Sequence, residues 1–251
     1  MIYVVFSLVI LFTIALVIVI YCNTVIKINT VVIESDKLDK DIDIVFVSDF
    51  HVGRYTKKKE LIKIIDKINE LEGDYLLIGG DIGNKNPLKY YKDNELKDIF
   101  DSFKIKQRYF VGGNHDDYSL SLYNNFNVLK DDIVELSSNI TILGLNWERK
   151  ECLDYKLKKE NYNILLSHYP DRVCEYSKID LALGAHSHGH QVNLPFCKFH
   201  HKEKFARGLY DFKNNRYLYV NKGLGFSFLK IRFFSCREIV KIELRKCSKN
   251  G

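Results

Sequence analysis

The chain begins with a long apolar run and continues as short apolar segments separated by polar ones. Residues 1–26 carry no charged side chain, and residues 1–22 are almost wholly aliphatic or aromatic. A helix needs roughly 20 apolar residues to cross the hydrocarbon core of a bilayer. A soluble helix needs only one apolar face, whereas this run is apolar on every face. The pattern therefore predicts a membrane-spanning helix over residues 1–23.

A cleavable signal peptide is the competing interpretation of this segment. Such a peptide has a basic start, a shorter apolar core and small residues before its cleavage site. No lysine or arginine precedes the apolar run, and Ile20-Tyr21-Cys22 contains no pair of small residues. The sequence thus favours an uncleaved anchor at 1–23, followed by one domain at 24–251. Only Lys27 lies close after the run, so the positive-inside rule gives little guidance on orientation.

Beyond the anchor, strand-like apolar runs alternate with helical patterns. Strands are predicted at 25–34, 42–47, 75–78, 108–111, 141–145, 163–166, 181–183, 216–220 and 238–244. One helix is predicted from an N-cap at Thr56 to Gly73, and another around 94–103. This alternation predicts an α/β fold, in which ligands bind beyond the carboxyl ends of the strands.

Potential metal ligands follow five of these strands. They are Asp49 and His51, Asp81, Asn114 and His115, His168, and His186 and His188. Oxygen and nitrogen donors of this kind suit Mn²⁺, Fe²⁺ or Zn²⁺. On an extended backbone, residues two apart point to the same side, so each Asp-x-His or His-x-His pair is predicted to grip one ion. A carboxylate such as that of Asp81 can bridge two ions, and two ions can clamp both oxygens of an in-line phosphoryl transfer.

Each of these residues alone has a simpler explanation. A strand-end aspartate is usually a helix cap or a turn former, and an isolated histidine usually lies on the surface or in a satisfied core position. Asn114 follows two glycines and fits a turn. The metal site is favoured because all the donors follow strands of one α/β body.

In their order along the chain, these motifs resemble those of the calcineurin-like metallophosphoesterase superfamily. The motifs are Asp49-Phe50-His51, Gly80-Asp81, Gly113-Asn114-His115-Asp116, Ser167-His168 and His186-Ser187-His188. The stretches 184–191, 207–210, 219–225 and 231–233 are similar to the membrane-associated, YkuE-type branch. The resemblance implies a two-sheet α/β sandwich flanked by helices, here preceded by one N-terminal transmembrane helix.

The resemblance also implies a role for each residue. The first ion would be held by Asp49, His51 and His188, and the second by Asn114, His168 and His186, with Asp81 bridging the two. His115 would stabilise the transition state or protonate the leaving oxygen. Asp116 would orient a histidine from behind the ligands. Where the branch carries Gly-Gly-Gln, this chain has Gly189-His190-Gln191, which makes His190 a candidate for contact with substrate.

Charge and cysteine content bear on partners and compartment. The net charge is +6, with basic groups at 57–59 and in the segment 198–207. Such groups can meet anionic lipid or phosphorylated substrate, although a solvated surface is the simpler interpretation of the first run. No basic stripe is interleaved with aromatic residues, so nucleic acid is not an expected partner.

The six cysteines are scattered, which favours free thiols and the cytoplasmic side.

Together these features predict a membrane-anchored phosphoesterase that uses two divalent metal ions. Mn²⁺ is the expected metal, with Fe²⁺ and Zn²⁺ as alternatives. The substrate would be a phosphate monoester or diester, and the anchor favours a lipid-linked or cell-envelope phosphate or pyrophosphate. A non-catalytic scaffold and a nuclease of the same superfamily are the alternatives. The complete set of seven ligands argues against the scaffold.

Overall fold

The computed structural model describes residues 1–84, 86–149, 151–193, 204–227 and 229–247. An N-terminal helix, α1 (Ile2–Thr24), precedes a body of two six-stranded sheets. The first sheet contains β1 (Ile26–Ser35), β2 (Ile42–Val47), β3 (Tyr75–Ile78), β4 (Gln107–Phe110), β5 (Asn127–Val128) and β12 (Arg237–Lys246). The second contains β6 (Asp132–Ser137), β7 (Ile140–Leu145), β8 (Tyr162–Ser167), β9 (Leu181–Gly184), β10 (Gly208–Asp211) and β11 (Tyr217–Val220).

The strand orders are β1-β12-β2-β3-β4-β5 and β10-β11-β9-β8-β7-β6. Two α-helices, α2 (Lys58–Asn69) and α3 (Asp93–Asp101), contribute to the apolar cluster on the outer face of the first sheet. Short 3₁₀ helices lie at Pro87–Lys89, Ser121–Asn125, Asp154–Lys156 and Pro170–Glu175. The predicted two-sheet α/β sandwich is thereby confirmed.

The main core lies between the two sheets, and the sequence of β2 shows how it forms. Ile44 and Phe46 point into the inter-sheet core, whereas Val45 and Val47 point towards the helices. This division follows from the two-residue period of a strand, which sends neighbouring side chains to opposite faces. A strand that is buried on both faces therefore has a continuous apolar sequence, as seen at 44–47.

Helix α2 buries one apolar face and begins later than predicted. Its buried side chains are Leu61, Ile64, Ile65 and Ile68, the spacing of one helical face. The predicted N-cap at Thr56 is wrong, because the helix begins at Lys58 and Lys57 occupies the cap position. The Thr56 hydroxyl instead donates to the carbonyl of Phe50 at 3.0 Å. It thus supports the loop after β2, which carries two of the predicted ligands.

The sequence analysis missed two edge strands of the second sheet. In β6 no residue is fully buried, and in β10 half-buried and exposed residues alternate. An edge strand contacts the core through only part of its surface, so its apolar pattern is weak. The outer face of this sheet is covered by loops and 3₁₀ helices in the described part of the chain.

The parallel strands bring the predicted ligands to one edge of the sandwich. Strands β2, β3 and β4 are parallel in the first sheet. Strands β7, β8 and β9 are parallel in the second. Because parallel strands end on the same side, the loops that follow them meet at one edge. The second-sheet contribution comes from the loops after β8 and β9.

Helix α1 is long and apolar enough to cross a membrane by its length and composition. Its most apolar 18-residue stretch has no buried residue, and Cys22 is the buried residue of the helix. The Cys22 Sγ lies 2.8 Å from the Cys236 Sγ, just before β12. The five described cysteines form no disulfide. Cys197 and the basic residues at 198–202 lie outside the described residues.

Candidate metal centre

Most of the predicted donors lie on tightly turned backbone. Six of the predicted site residues have positive φ, between 44° and 68°: Asp49, His51, Asp81, His186, His188 and His190. This left-handed conformation is uncommon outside glycine, although aspartate and histidine tolerate it better than most residues. Strained backbone of this kind persists where surrounding contacts enforce it, and it often occurs at functional sites.

The extended-backbone premise is therefore wrong, and the two histidines of the His-x-His motif diverge. The Nδ1 atom of His186 lies 3.2 Å from Nε2 of His168. The Nε2 atom of His188 instead lies 2.9 Å from Nε2 of His51. The prediction that this pair grips one ion is wrong, because each histidine joins a different group of donors. The division agrees with the roles that the family resemblance implies.

Asp49, His51 and His188 form the first group of donors. The Oδ1 atom of Asp49 lies 3.5 Å from Nε2 of His188 and 4.0 Å from Nε2 of His51. All three side chains are buried. Although Ser48 donates to Oδ2 of Asp49 at 2.6 Å, Oδ1 has no hydrogen-bond partner among the described residues. A buried carboxylate oxygen facing two imidazole nitrogens fits a divalent cation.

His168 and His186 form the second group. The Nδ1 atom of His168 lies 2.8 Å from the carbonyl of Gly79, so Nδ1 carries the proton and donates. In the neutral ring, the Nε2 atom then offers a lone pair, which is the form in which histidine binds metals. Asn114 follows β4, and its buried Oδ1 has no hydrogen-bond partner among the described residues. That oxygen fits a metal ligand, and its place in the second group stays a prediction.

Asp81 lies between the two groups. Its Oδ2 atom is 3.5 Å from Nε2 of His51 in the first group. The same oxygen is 3.5 Å from Nε2 of His168 in the second. Its Oδ1 atom accepts from the backbone N–H of His115 at 2.9 Å, which fixes the carboxylate plane. A single carboxylate thus faces donors of both groups, as a bridge between two ions requires.

Burial and the charges of neighbouring groups shift the pKa values of the His168 and Asp81 side chains in opposite directions. Burial raises the pKa of Asp49 to about 7 and lowers the pKa of His51 to about 3. Burial also opposes a charge on His168, but the Asp81 carboxylate outweighs it and raises the pKa of His168 to about 9. Likewise, His168 overcomes the effect of burial on Asp81 and lowers its pKa. A buried carboxylate here requires a neighbouring positive charge, which bound cations would supply.

Gly113 and Asp116 hold the loops after β3 and β4 together. A Cβ atom on Gly113 would lie 2.1 Å from Oδ1 of Asp81, so only glycine fits. The Asp116 carboxylate accepts from the backbone N–H groups of Asp81 at 2.7 Å and Gly113 at 2.8 Å. It also accepts from the Tyr123 hydroxyl at 2.6 Å. Asp116 thus braces ligand-bearing backbone, and no histidine is among these described partners, contrary to the role implied by the resemblance.

A cavity of about 310 Å³ opens over the cluster. Its lining residues are His51, Asp81, His115, His186, Ser187, His188, His190, Gln191 and Ser227. The ring of His115 meets that of His51 edge-on, with centroids 5.1 Å apart. His115 and His190 thus both line the cavity that opens over the donors.

Arg232 lies behind the donors and Gln191 lines the cavity, although the sequence analysis gave neither residue a role. The Arg232 guanidinium is fully buried and donates to the carbonyl of Gly225 at 2.8 Å. It also approaches Nδ1 of His188 at 3.3 Å, behind that ring. The sequence signal for a role of Arg232 was its position as a single arginine in the apolar segment 231–234. Arginine is almost never fully buried unless its guanidinium is paired.

Comparison with known proteins identifies the family. The calcineurin-like phosphoesterase family matches residues 42–190 of this chain. A metallophosphoesterase of Helicobacter pylori is 31% identical over 243 residues, covering 87% of this chain and 64% of that protein. The chain belongs to the calcineurin-like phosphoesterase family. Metallophosphoesterases of this family bind a dinuclear metal site. Among the described residues, the clusters that could hold a metal ion are Asp49 with His51 and His188, His51 with Asp81 and His115, and Asp49 with Asp81 and His168.

Two further relatives refine the resemblance. The metallophosphoesterase YkuE of Bacillus subtilis is 28% identical, covering 80% of this chain and 78% of that protein. This similarity confirms the predicted YkuE-type resemblance. The UDP-2,3-diacylglucosamine pyrophosphatase LpxG of Chlamydia muridarum is 29% identical, covering 78% of this chain and 81% of that protein. The chain spans 64% of the length of its Helicobacter pylori relatives.

Proposed function

We propose that this chain hydrolyses a phosphate ester or anhydride with the help of two divalent metal ions. The observation that carries the proposal is Asp81, whose Oδ2 lies 3.5 Å from donors of both groups. Asp49, His51 and His188 would hold one ion, and Asn114, His168 and His186 the other. When bound, such ions neutralise phosphoryl oxygens and lower the pKa of water. Mn²⁺ is the first metal to test.

His115 is proposed to act on the substrate itself. Its backbone is fixed by Asp81, while its ring lies in the cavity against His51. An imidazole in that position can protonate the leaving oxygen or stabilise the charge that develops on the phosphoryl group. His115 also lies close enough to His51 and Asp81 to serve as a ligand. Metal content and turnover, measured together in a His115→Ala variant, distinguish these two roles.

The proposed substrate is a phosphorylated amphiphile held in a membrane. Residues 1–23 would anchor the domain at 24–251, with the domain on the cytoplasmic side. Helix α1 supports the membrane anchor because it is apolar enough to cross a bilayer. LpxG supports the same substrate class, because its name describes the cleavage of a pyrophosphate on an acylated sugar. A monoester, a diester and a lipid-linked pyrophosphate are the three forms to compare.

The experiment uses the full chain in detergent, stripped of metal and then reloaded with Mn²⁺. Three substrates are compared: an aryl phosphomonoester, a diaryl phosphodiester, and a nucleoside diphosphate linked to an acylated sugar. We expect about two ions per chain by elemental analysis and metal-dependent release from at least one substrate. A chain that binds no metal would instead be a scaffold. Cleavage of single-stranded DNA in preference to all three substrates would indicate a nuclease.

A further inference from the structure

Exposed apolar side chains and lysines surround the base of α1. The loop before β12 exposes Leu229, Ile231 and Phe234, which are 50%, 41% and 45% accessible. Beside this loop, whose Lys230 lies 3.8 Å from Glu60, a hollow between α1 and α2 is lined by Thr24, Ile26, Lys57, Lys59, Glu60, Lys63 and Arg237. Large apolar groups exposed together mark a surface that contacts a partner or a membrane.

The loop is fixed to the last turn of α1 through one side chain. Asn23 donates from Nδ2 to the carbonyl of Lys230 at 2.9 Å. Its Oδ1 atom accepts from the backbone N–H of Arg232 at 2.8 Å. Because α1 ends at Thr24, the loop lies at the level where the helix leaves its apolar surroundings. The buried Arg232 side chain turns inward, whereas Ile231 and Phe234 remain exposed.

Lysines lie at the same level as this loop. Lys27 lies over the ring of Tyr21 at 5.9 Å, and it lines a second hollow together with Phe234. Lys57, Lys59 and Lys63 are exposed at the start of α2. In sequence they are more than thirty residues from the helix, yet the fold brings them beside Thr24. Lysines near a bilayer surface attract anionic lipid headgroups.

The same loop reaches the metal-site cavity through Gln191. The Nε2 atom of Gln191 donates to the carbonyls of Leu229 and Ile231, the second at 2.8 Å. Its Oε1 atom accepts from the backbone N–H of Ser227 at 3.1 Å. Gln191 and Ser227 both line the cavity. The cavity and the exposed apolar loop therefore share a rim.

We propose that this face is a docking surface for a bilayer that contains anionic lipid, formed by Leu229, Ile231, Phe234, Lys27, Lys57, Lys59 and Lys63. The apolar side chains enter the headgroup region, and the lysines contact lipid phosphates. Docking holds the cavity rim at the membrane surface. The proposal goes beyond the anchor, because the catalytic body itself contacts the leaflet. It does not depend on the reaction, since docking requires neither metal nor turnover.

The test measures the contact of single tryptophans with lipid in the full chain. The chain has one tryptophan, Trp147, which is changed to Phe. Ile231→Trp or Phe234→Trp is then introduced, with Tyr155→Trp as the matched control. Tyr155 is 74% exposed and lies among the segments that cover the outer face of the second sheet. Each variant is placed in phosphatidylcholine bilayers with 30% phosphatidylglycerol, with or without lipids brominated near the headgroup.

We expect brominated lipid to quench the tryptophans at 231 and 234 at least twofold more than the one at 155. Equal quenching at all three positions would overturn the docking surface. Replacing Lys57, Lys59 and Lys63 with Gln should reduce quenching at 231 to its level in bilayers of phosphatidylcholine alone. The matched triple change at Lys104, Lys106 and Lys159 should leave it unaltered. Quenching that is indifferent to phosphatidylglycerol would remove the lysines from the proposal.

Discussion

The metal centre and the docking surface differ in what each leaves unsatisfied. In the metal centre, Oδ1 of Asp49 and Oδ1 of Asn114 are buried without a hydrogen-bond partner among the described residues. Such atoms are unfavourable in a protein interior. At the docking surface, Ile231 and Phe234 expose apolar area, which is unfavourable in water. Each kind of unsatisfied group indicates its own partner, divalent cations in one region and a lipid bilayer in the other.

The two regions also differ in how they are held. The metal centre rests on strand ends and on backbone braced by Asp116. The docking surface is joined to α1 by Asn23 and to the cavity by Gln191. Changes in the first region should abolish chemistry on every substrate. Changes in the second should affect only substrates that enter from a membrane.

The largest expected effect is that of Asp81→Asn. The change removes the charge shared by both groups of donors, so we expect activity to fall by roughly 10³-fold or more, the upper end for loss of one electrostatic group. Elemental analysis should show fewer than two ions per chain. The matched control is Asp43→Asn, whose carboxylate pairs with Lys241 and Arg245 far from the cavity lining. Full activity in Asp81→Asn would contradict the dinuclear site.

His115→Ala should have the next largest effect. Loss of a general acid lowers turnover by roughly 10²–10⁴-fold, while two ions should remain bound because the ring is proposed to act on substrate. Metal content and turnover are measured on the same sample. Loss of an ion in this variant would instead make His115 a ligand. His190→Ala serves as the comparison, and we expect it mainly to raise KM.

Removing the metal should make stability depend on pH. Without ions, the raised pKa values of Asp49, about 7, and His168, about 9, both favour folding at low pH. Their contributions are complete below the unfolded pKa values and are lost as pH rises through the folded ones. From pH 6.5 to 9 the stripped chain should therefore lose stability, whereas Mn²⁺ binds more tightly as its ligands deprotonate.

The measurement is the thermal midpoint of the full chain in detergent, with Mn²⁺ or with chelator, across that pH range. Each kcal/mol should move the midpoint by about 2–4 °C in a domain of this size. The difference between loaded and stripped samples should widen towards pH 9. The Asp49→Asn variant should show a smaller widening, because one of the two titrating groups is gone. A constant difference would mean that cations do not replace protons here.

The two regions also differ in how far the sequence alone could predict them. Asp49, Asp81 and His168 lie within three residues of the ends of buried parallel strands, so the topology alone brings their loops together. The left-handed backbone at His186 and His188 was not predictable, because period-two reasoning assumes an extended chain. Asp116 was assigned a histidine partner, yet it bonds to backbone, since the packing of two loops decides its contacts.

The docking surface left almost no trace in the sequence. From the sequence, Lys57 was interpreted as a solvated surface residue, and Ile231 was one apolar residue in a short segment. Neither has a pattern of its own, because the surface exists only where α1, α2 and the loop before β12 meet. The fold class was predictable because it depends on local periodicity. A surface built from three distant segments depends on tertiary packing, which one sequence does not specify.

The smallest expected effect separates the two regions most sharply. Ile231→Ser with Phe234→Ser should lower turnover of a lipid-borne substrate in bilayers by about tenfold, since burying one such side chain contributes about 1.5–3 kcal/mol and only part of each is buried here. Hydrolysis of a soluble aryl ester should be unchanged, because neither residue lines the cavity. Tyr155→Ser is the control for loss of an exposed aromatic side chain. Equal losses on both substrates would mean that the loop before β12 supports the structure of the metal centre. The docking surface would then not be separable from the metal centre.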